Sequence, residues 1–191
     1  MKKNTSIKLI EWALRINVFL KLTTYGLGKV LGGQFYTKGN IPEAIAQIPL
    51  GETTGYDLAW TFFGYSKPYI LFIGISQLIG ALLILINRTK LLGGVILIPI
   101  LLNIIVVDYF FGVAYGAMFS ACFYLVSIVF MFYVSRKQVA EALQRLFVYS
   151  TDTKERKQKI IQAAIIIAGV VVVFFVEYFF INYFGYEDRY Y

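Results

Sequence analysis

Six polar side chains set within apolar stretches carry the chemistry this sequence can offer: Lys21, Tyr25, Lys29, Gln77, Asn103 and Asp108. The two ammonium groups supply positive charge for a quinone headgroup or a small oxyanion. The Gln77 and Asn103 amides supply hydrogen bonds, and Asp108 orients Lys29 or exchanges a proton. A charge in hydrocarbon costs at least ~2.5 kcal/mol on insertion scales, so each must find a partner or an aqueous cavity. The expected site is a polar pocket opening outward between the first three spans. No residue is assigned a catalytic role, and no metal site is expected.

Depth sharpens the set. At ~1.5 Å of rise per residue from the outer end of each span, Lys21 comes out about 15 Å deep and Gln77 and Asn103 about 12 Å. On the same ~1.5 Å rise Glu177 lies about 9 Å deep, and Lys29 and Asp108 within about 5 Å of the outer surface. Each position also has a structural reading. Lys29 and Asp108 form an ion pair at the membrane edge, and Gln77 and Asn103 make interhelical hydrogen bonds. Lys21 has no carboxylate at its level, so it needs a water-filled pocket, an anionic ligand or loss of its proton. Arg15 belongs near the inner face, paired with Glu11 one turn earlier or reaching the headgroups.

These residues sit on five long apolar runs: Ile10 to Leu31, Tyr69 to Ile86, Leu91 to Phe111, Tyr115 to Val134 and Ile160 to Tyr183. Each approaches the ~20 residues a helix needs to cross hydrocarbon. A hydrophobic content of 59% and a mean hydropathy of +0.68 over 191 residues lie outside the soluble range. The chain therefore reads as one all-α membrane domain, a four-helix transmembrane bundle plus a fifth C-terminal transmembrane helix. Twelve of the 18 Lys and Arg fall in the N-terminal tail, the turn Arg88 to Lys90 and the segment Arg136 to Lys159. Cytoplasmic loops retain such residues, which places the N-terminus inside and the C-terminus outside a bacterial inner membrane. The net charge of +7 then follows from topology and attraction to anionic lipid, and no nucleic-acid partner is expected.

The composition also excludes chemistry. With no histidine, bis-His haem, His-ligated zinc and His-based triads are impossible. The single cysteine, Cys122, permits neither an intramolecular disulfide nor a Cys-x-x-Cys redox pair. Lys2 and Lys3 before an apolar run resemble a signal peptide. Arg15 and Lys21 interrupt that run and no small-x-small cleavage site follows Leu31, so it is expected to be retained.

Two connections have their own character. Gln34 to Lys67 carries turn signals and then Asp57-Leu-Ala-Trp-Thr-Phe-Phe-Gly-Tyr, read as a short interfacial or re-entrant helix with Asp57 as N-cap. In Arg136 to Tyr149, Val139, Leu143, Leu146 and Phe147 share a face opposite charged residues, the pattern of an amphipathic helix on the inner leaflet. A docking site for a soluble partner is the sharper reading. On the first run Arg15, Leu22, Gly26, Lys29 and Gly33 form one stripe, and the Gly28 and Gly32 pair also permits a close neighbour.

An arginine opening the first span, followed by Gly26 and Lys29, resembles the Arg…Gly-x-x-Lys signature of the DoxX-like membrane proteins. The second run, Gly74-Ile-Ser-Gln-Leu-Ile-Gly-Ala, and the turn Asn-Arg-Thr-Lys-Leu-Leu-Gly-Gly are similar to that family's second helix and its tight turn into the third. The resemblance covers residues 10–134, with 135–159 as the amphipathic connection and 160–183 as the added span. It implies a four-helix core and, for some members, the small membrane subunit of a thiosulfate:quinone oxidoreductase. Relatives often carry glutamate where this chain has Gln77. The functional expectation is a redox accessory whose pocket receives a quinone or small oxyanion. No cofactor is encoded, and any redox centre comes from a bound quinone or a partner subunit. The other expectations are a non-catalytic scaffold or assembly partner of a larger complex and, third, a small transporter.

Overall fold

The computed structural model describes residues 3–147 and 156–184, and the basic residues and C-terminal tail within 1–2, 148–155 and 185–191 lie outside the described residues. Among the described residues all regular structure is helical. The elements are α1 (Lys3–Val30), α2 (Glu43–Ala46), a single 3-10 turn (Leu50–Glu52), α3 (Gly55–Gly64), α4 (Lys67–Leu85), α5 (Lys90–Phe110), α6 (Tyr115–Val134), α7 (Arg136–Phe147) and α8 (Arg156–Phe184). Contacts divide the chain into two units, 1–146 and 147–191, and α8 belongs to the second.

In the first unit α1, α4, α5 and α6 close into a ring in that order, α1 packing on both α4 and α6. Val18 and Leu22 from α1, Ala81 and Ile84 from α4, Leu97 and Leu101 from α5, and Ile128 and Met131 from α6 form the core. The ring's outer surface is apolar too, with Ile79, Leu82, Val95, Phe119 and Val126 all exposed. A bundle apolar on both faces is shaped for lipid. α4, α5 and α6 are long and apolar enough to cross a membrane. α1 carries Glu11, Arg15, Lys21 and Lys29, and the described apolar stretch of α8 is Ile165–Phe179.

Small residues set the helix spacing, because between lipid-exposed helices close backbone approach replaces the hydrophobic drive. A Cβ on Gly26 would lie 3.3 Å from the oxygen of Gly74, and one on Gly74 3.2 Å from that of Gly26, so α1 and α4 cross there. A Cβ on Gly93 of α5 would lie 2.8 Å from the oxygen of Gly80 on α4. The Gly28 and Gly32 pair behaves differently from expectation: a Cβ on either would meet nothing. Gly32 instead ends α1 at a φ of 80°, with the Gly33 amide donating to Gly28 O at 2.8 Å and the Gly32 amide to Lys29 O at 3.2 Å. That is a Schellman cap.

Near the middle of α1, beside the end of α4, Arg15 is nearly inaccessible and does not reach outward. Its Nε donates to Ile84 O at 2.6 Å, one terminal nitrogen to Leu85 O at 2.5 Å and the other to Asn87 Oδ1 at 2.8 Å. A guanidinium from α1 thus satisfies the orphan carbonyls that end α4, where the helix dipole favours a cation. Glu11 completes the cluster, 3.6 Å from Arg15 and 2.6 Å from Lys90 Nζ.

Residues 34–66 fold back over the other end of the ring. Asp57 is not the N-cap of α3. Thr54 takes that position, accepting the Asp57 amide at 3.2 Å while its hydroxyl donates to Asp57 Oδ2 at 2.6 Å. A threonine three residues ahead of a carboxylate makes a reciprocal cap, which moves Asp57 into the first turn. The Tyr36 hydroxyl donates to Asp57 Oδ1 at 3.1 Å. Loss of hydration first, then the hydrogen bond and charge of Asp57, raises the Tyr36 hydroxyl above the ordinary tyrosine pKa.

α7 follows α6 directly through Ser135, with Val139 half-buried and Leu143 exposed. The side chains of Leu146, Phe147 and Asn182 lie outside the described residues, and Glu177 on α8 is exposed.

Candidate functional site

A cavity of about 530 Å³ lies between α1, α3, α4, α5 and α6. It forms where the core side chains give way to smaller or polar ones. Leu22 and Leu101 form part of its wall, and Ala117 and Ala121 of α6 leave space. Pro99 also lines it and interrupts the hydrogen-bond ladder of α5 at that depth. The walls are otherwise aromatic and aliphatic, with Phe35, Trp60, Phe63, Tyr69, Phe72 and Tyr124 prominent.

The polar groups converge on this space. Lys29 is 6% exposed, Gln77 0% and Asp108 7%. Lys29 Nζ donates to Gln77 Oε1 at 3.1 Å, and Gln77 Nε2 donates to Leu22 O at 2.9 Å. One buried amide therefore serves α1 twice, and its two partners fix which of its ends is the oxygen. Asp108 lines the same cavity as Lys29 without entering ion-pair contact with it. Its Oδ2 is buried and has no hydrogen-bond partner, and the same holds for Oε1 of Gln34. Such atoms are costly unless something occupies the space beside them.

Of the residues singled out in the sequence, Tyr25, Lys29, Gln77, Asn103 and Asp108 line the cavity, with Tyr25 and Asn103 on its more exposed side. Lys21 does not line it. Its side chain is exposed on the outer surface of α1 because its neighbour Leu22 takes the inward position, and about 100° per residue turns Lys21 away. The expectation that Lys21 joins Lys29 in one pocket is corrected accordingly.

Sequence reasoning missed Gln34 and Phe35. The left-handed turn at Gly32 sends the chain back, and Phe35 enters the mouth with a positive φ of 73°, a strained conformation for a bulky residue. Its ring stacks on Phe63 at 5.4 Å, meets Trp60 edge-on at 5.2 Å and lies 6.0 Å from Lys29 Nζ. Gly32-Gly33 was the available signal. Backbone contact holds the cover down: Tyr36 N donates to Trp60 O at 3.2 Å, and a Cβ on Gly64 would strike the Tyr36 backbone.

Among the described residues no cluster of His, Cys, Asp and Glu fits a metal ion. The arrangement suits a ring-bearing, mainly apolar molecule with a polar head, since a mostly apolar cleft with a few convergent polar groups orients such a ligand.

No protein-family model matches the chain, and no solved structure matches it. The chain is similar to a Bacillus subtilis (strain 168) protein named "Uncharacterized protein YwoB", 41% identical over 106 residues, or 56% of this chain. It spans 65% of that relative's length.

Proposed function

We propose that this chain is a DoxX-like integral membrane subunit, accessory to a redox system, that holds a quinone headgroup in the cavity of Lys29, Gln77 and Asp108. The observation that carries the reading is the buried Lys29–Gln77 pair facing the unpartnered carboxylate oxygen of Asp108 across one cavity. A quinone is favoured over an oxyanion because Asp108 offsets the charge of Lys29 and the walls are aromatic. A second anion would meet a carboxylate there with little water to screen it. In this reading Lys29 polarises a ring oxygen, Asp108 orients the ligand or exchanges its proton, and Trp60 and Phe63 contact the ring.

The same proposal makes α1 and α8 the fourth and fifth spans of a bacterial inner-membrane protein. Its N-terminus and basic connection are cytoplasmic, by the bias of Lys and Arg. In this reading any redox centre comes from a bound cofactor or a partner subunit. Gentle purification of the full chain from native membrane, followed by solvent extraction and mass spectrometry, tests this directly. A quinone retained through the final column supports the reading.

One observation favours a second reading, a non-catalytic scaffold. Gln77, fully buried, already ties α1 to α4 through its two hydrogen bonds. A large subunit in stoichiometric amount with no bound quinone is the outcome that selects it.

A further inference from the structure

The unspent hydrogen-bonding capacity of the cavity is specific about the ligand's chemical form. The two buried side-chain atoms left without a partner there, Asp108 Oδ2 and Gln34 Oε1, are both acceptors. A ligand that only accepts, such as a carbonyl compound, leaves both stranded. Lys29 has the opposite surplus: of its three N–H groups one is used, by Gln77. Lys29 and Asp108 face one space without touching. The group that satisfies both at once is a hydroxyl, whose oxygen accepts from the ammonium and whose hydrogen donates to the carboxylate. The opposed charges of Lys29 and Asp108 call for a neutral ligand, and the walls of Phe35, Trp60 and Phe63 call for a flat ring.

We infer that the ligand of this cavity is a neutral aromatic alcohol of the phenol or hydroquinone class, bound through a hydroxyl that bridges Lys29 and Asp108. The inference rests on the quinone reading and deepens it: the reduced, hydroxyl-bearing form of a quinone pair is the one held. Binding alone is proposed, with no electron transfer assigned to the chain. A bound water also satisfies two such groups, so the ligand must be tested by a donor-specific comparison.

Trp60 lies in the cavity wall and is one of two tryptophans. Trp12→Phe in the full chain leaves it as the reporter for fluorescence titration in detergent micelles. The probes are menadiol kept reduced under argon, its dimethyl ether, which keeps the rings and loses both donors, and menadione. Menadiol should bind at least about tenfold more tightly than either, the effect of one hydrogen bond to a charged acceptor. In Asp108→Asn, whose amide donates as well as accepts, that preference should shrink or invert. Equal affinity for menadiol and its ether overturns the inference, and because this comparison uses native Asp108 it holds even if the variant misfolds. Menadione bound as tightly as menadiol overturns it while leaving the quinone reading intact. No binding of any probe, the result expected of a water-filled space, removes both.

Discussion

Arg15 Nε donates to Ile84 O at 2.6 Å, so a charge carried by α1 closes the end of α4. The bond is buried, and the guanidinium also reaches Leu85 and Asn87 while Glu11 balances its charge. Arg15→Leu should lower stability by roughly 3 kcal/mol, since it uncaps buried carbonyls and leaves Glu11 with Lys90 alone. Thermal unfolding of the full chain in micelles measures it. Asn87→Ala removes one acceptor at an exposed position and should cost about 1 kcal/mol. Equal effects of the two would show that the cap of α4 does not contribute as described.

Gln77→Glu tests the other buried junction. A carboxylate draws Lys29 closer but removes the donor that satisfies Leu22 O, and sets two oxygens against each other in the core. The expected loss is roughly 2 kcal/mol, read as a lower melting temperature in the same assay. A variant as stable as the native chain would mean that the Leu22 bond holds nothing together.

Gly93→Ala should force α4 and α5 apart, because the new Cβ would lie 2.7 Å from Ile84 N and 2.8 Å from Gly80 O, both backbone atoms without freedom to rotate away. Roughly 2 kcal/mol of destabilisation is expected from overpacking of this kind. Gly116→Ala is the control, since nothing lies near its Cβ and alanine is the better helix former. Comparable melting temperatures for the two variants would contradict the close crossing.

The apolar runs locate α4, α5 and α6 to within about two residues, because hydrocarbon demands length and continuous apolarity and both are visible in one dimension. Which way a polar side chain points is visible only in part. The depth of Lys21 suggests a pocket residue, yet rotation about α1 decides the matter, and Leu22 holds the inward position. Lys90 looks like one more cationic turn residue, and its contact with Glu11 joins helices distant in sequence, which no local pattern records. The cover formed by Gln34 and Phe35 depends on a left-handed glycine turn and on docking against α3. Gly32-Gly33 marks the turn, but the surface it meets exists only once the chain has folded.

Orientation is open to a chemical test. In the proposed topology the N-terminal tail and the segment from Arg136 to Lys159 are cytoplasmic, because Lys and Arg concentrate in both. With Cys122 replaced by alanine, a cysteine introduced at Ser150 should resist a membrane-impermeant maleimide in intact cells and react after permeabilisation. Labelling in intact cells would reverse the topology.

Lys21 and Lys29 stand on the same helix and separate the pocket from mere charge. Lys29 is buried against Gln77 and faces Asp108, whereas Lys21 is exposed outside the cavity. Replacing an exposed lysine with methionine keeps the aliphatic bulk and removes only the charge. On the proposed quinone reading, Lys21→Met should therefore leave the quinone content of purified protein unchanged. In that reading Lys29→Met removes the ammonium proposed to meet the ligand oxygen and should lower retention at least about tenfold, the effect of one charged hydrogen bond. Quinone extracted per mole of folded protein, with circular dichroism to verify the fold, gives both numbers. Equal retention in the two variants would show that the buried pair is a fastening between helices, and would move the function to the scaffold reading.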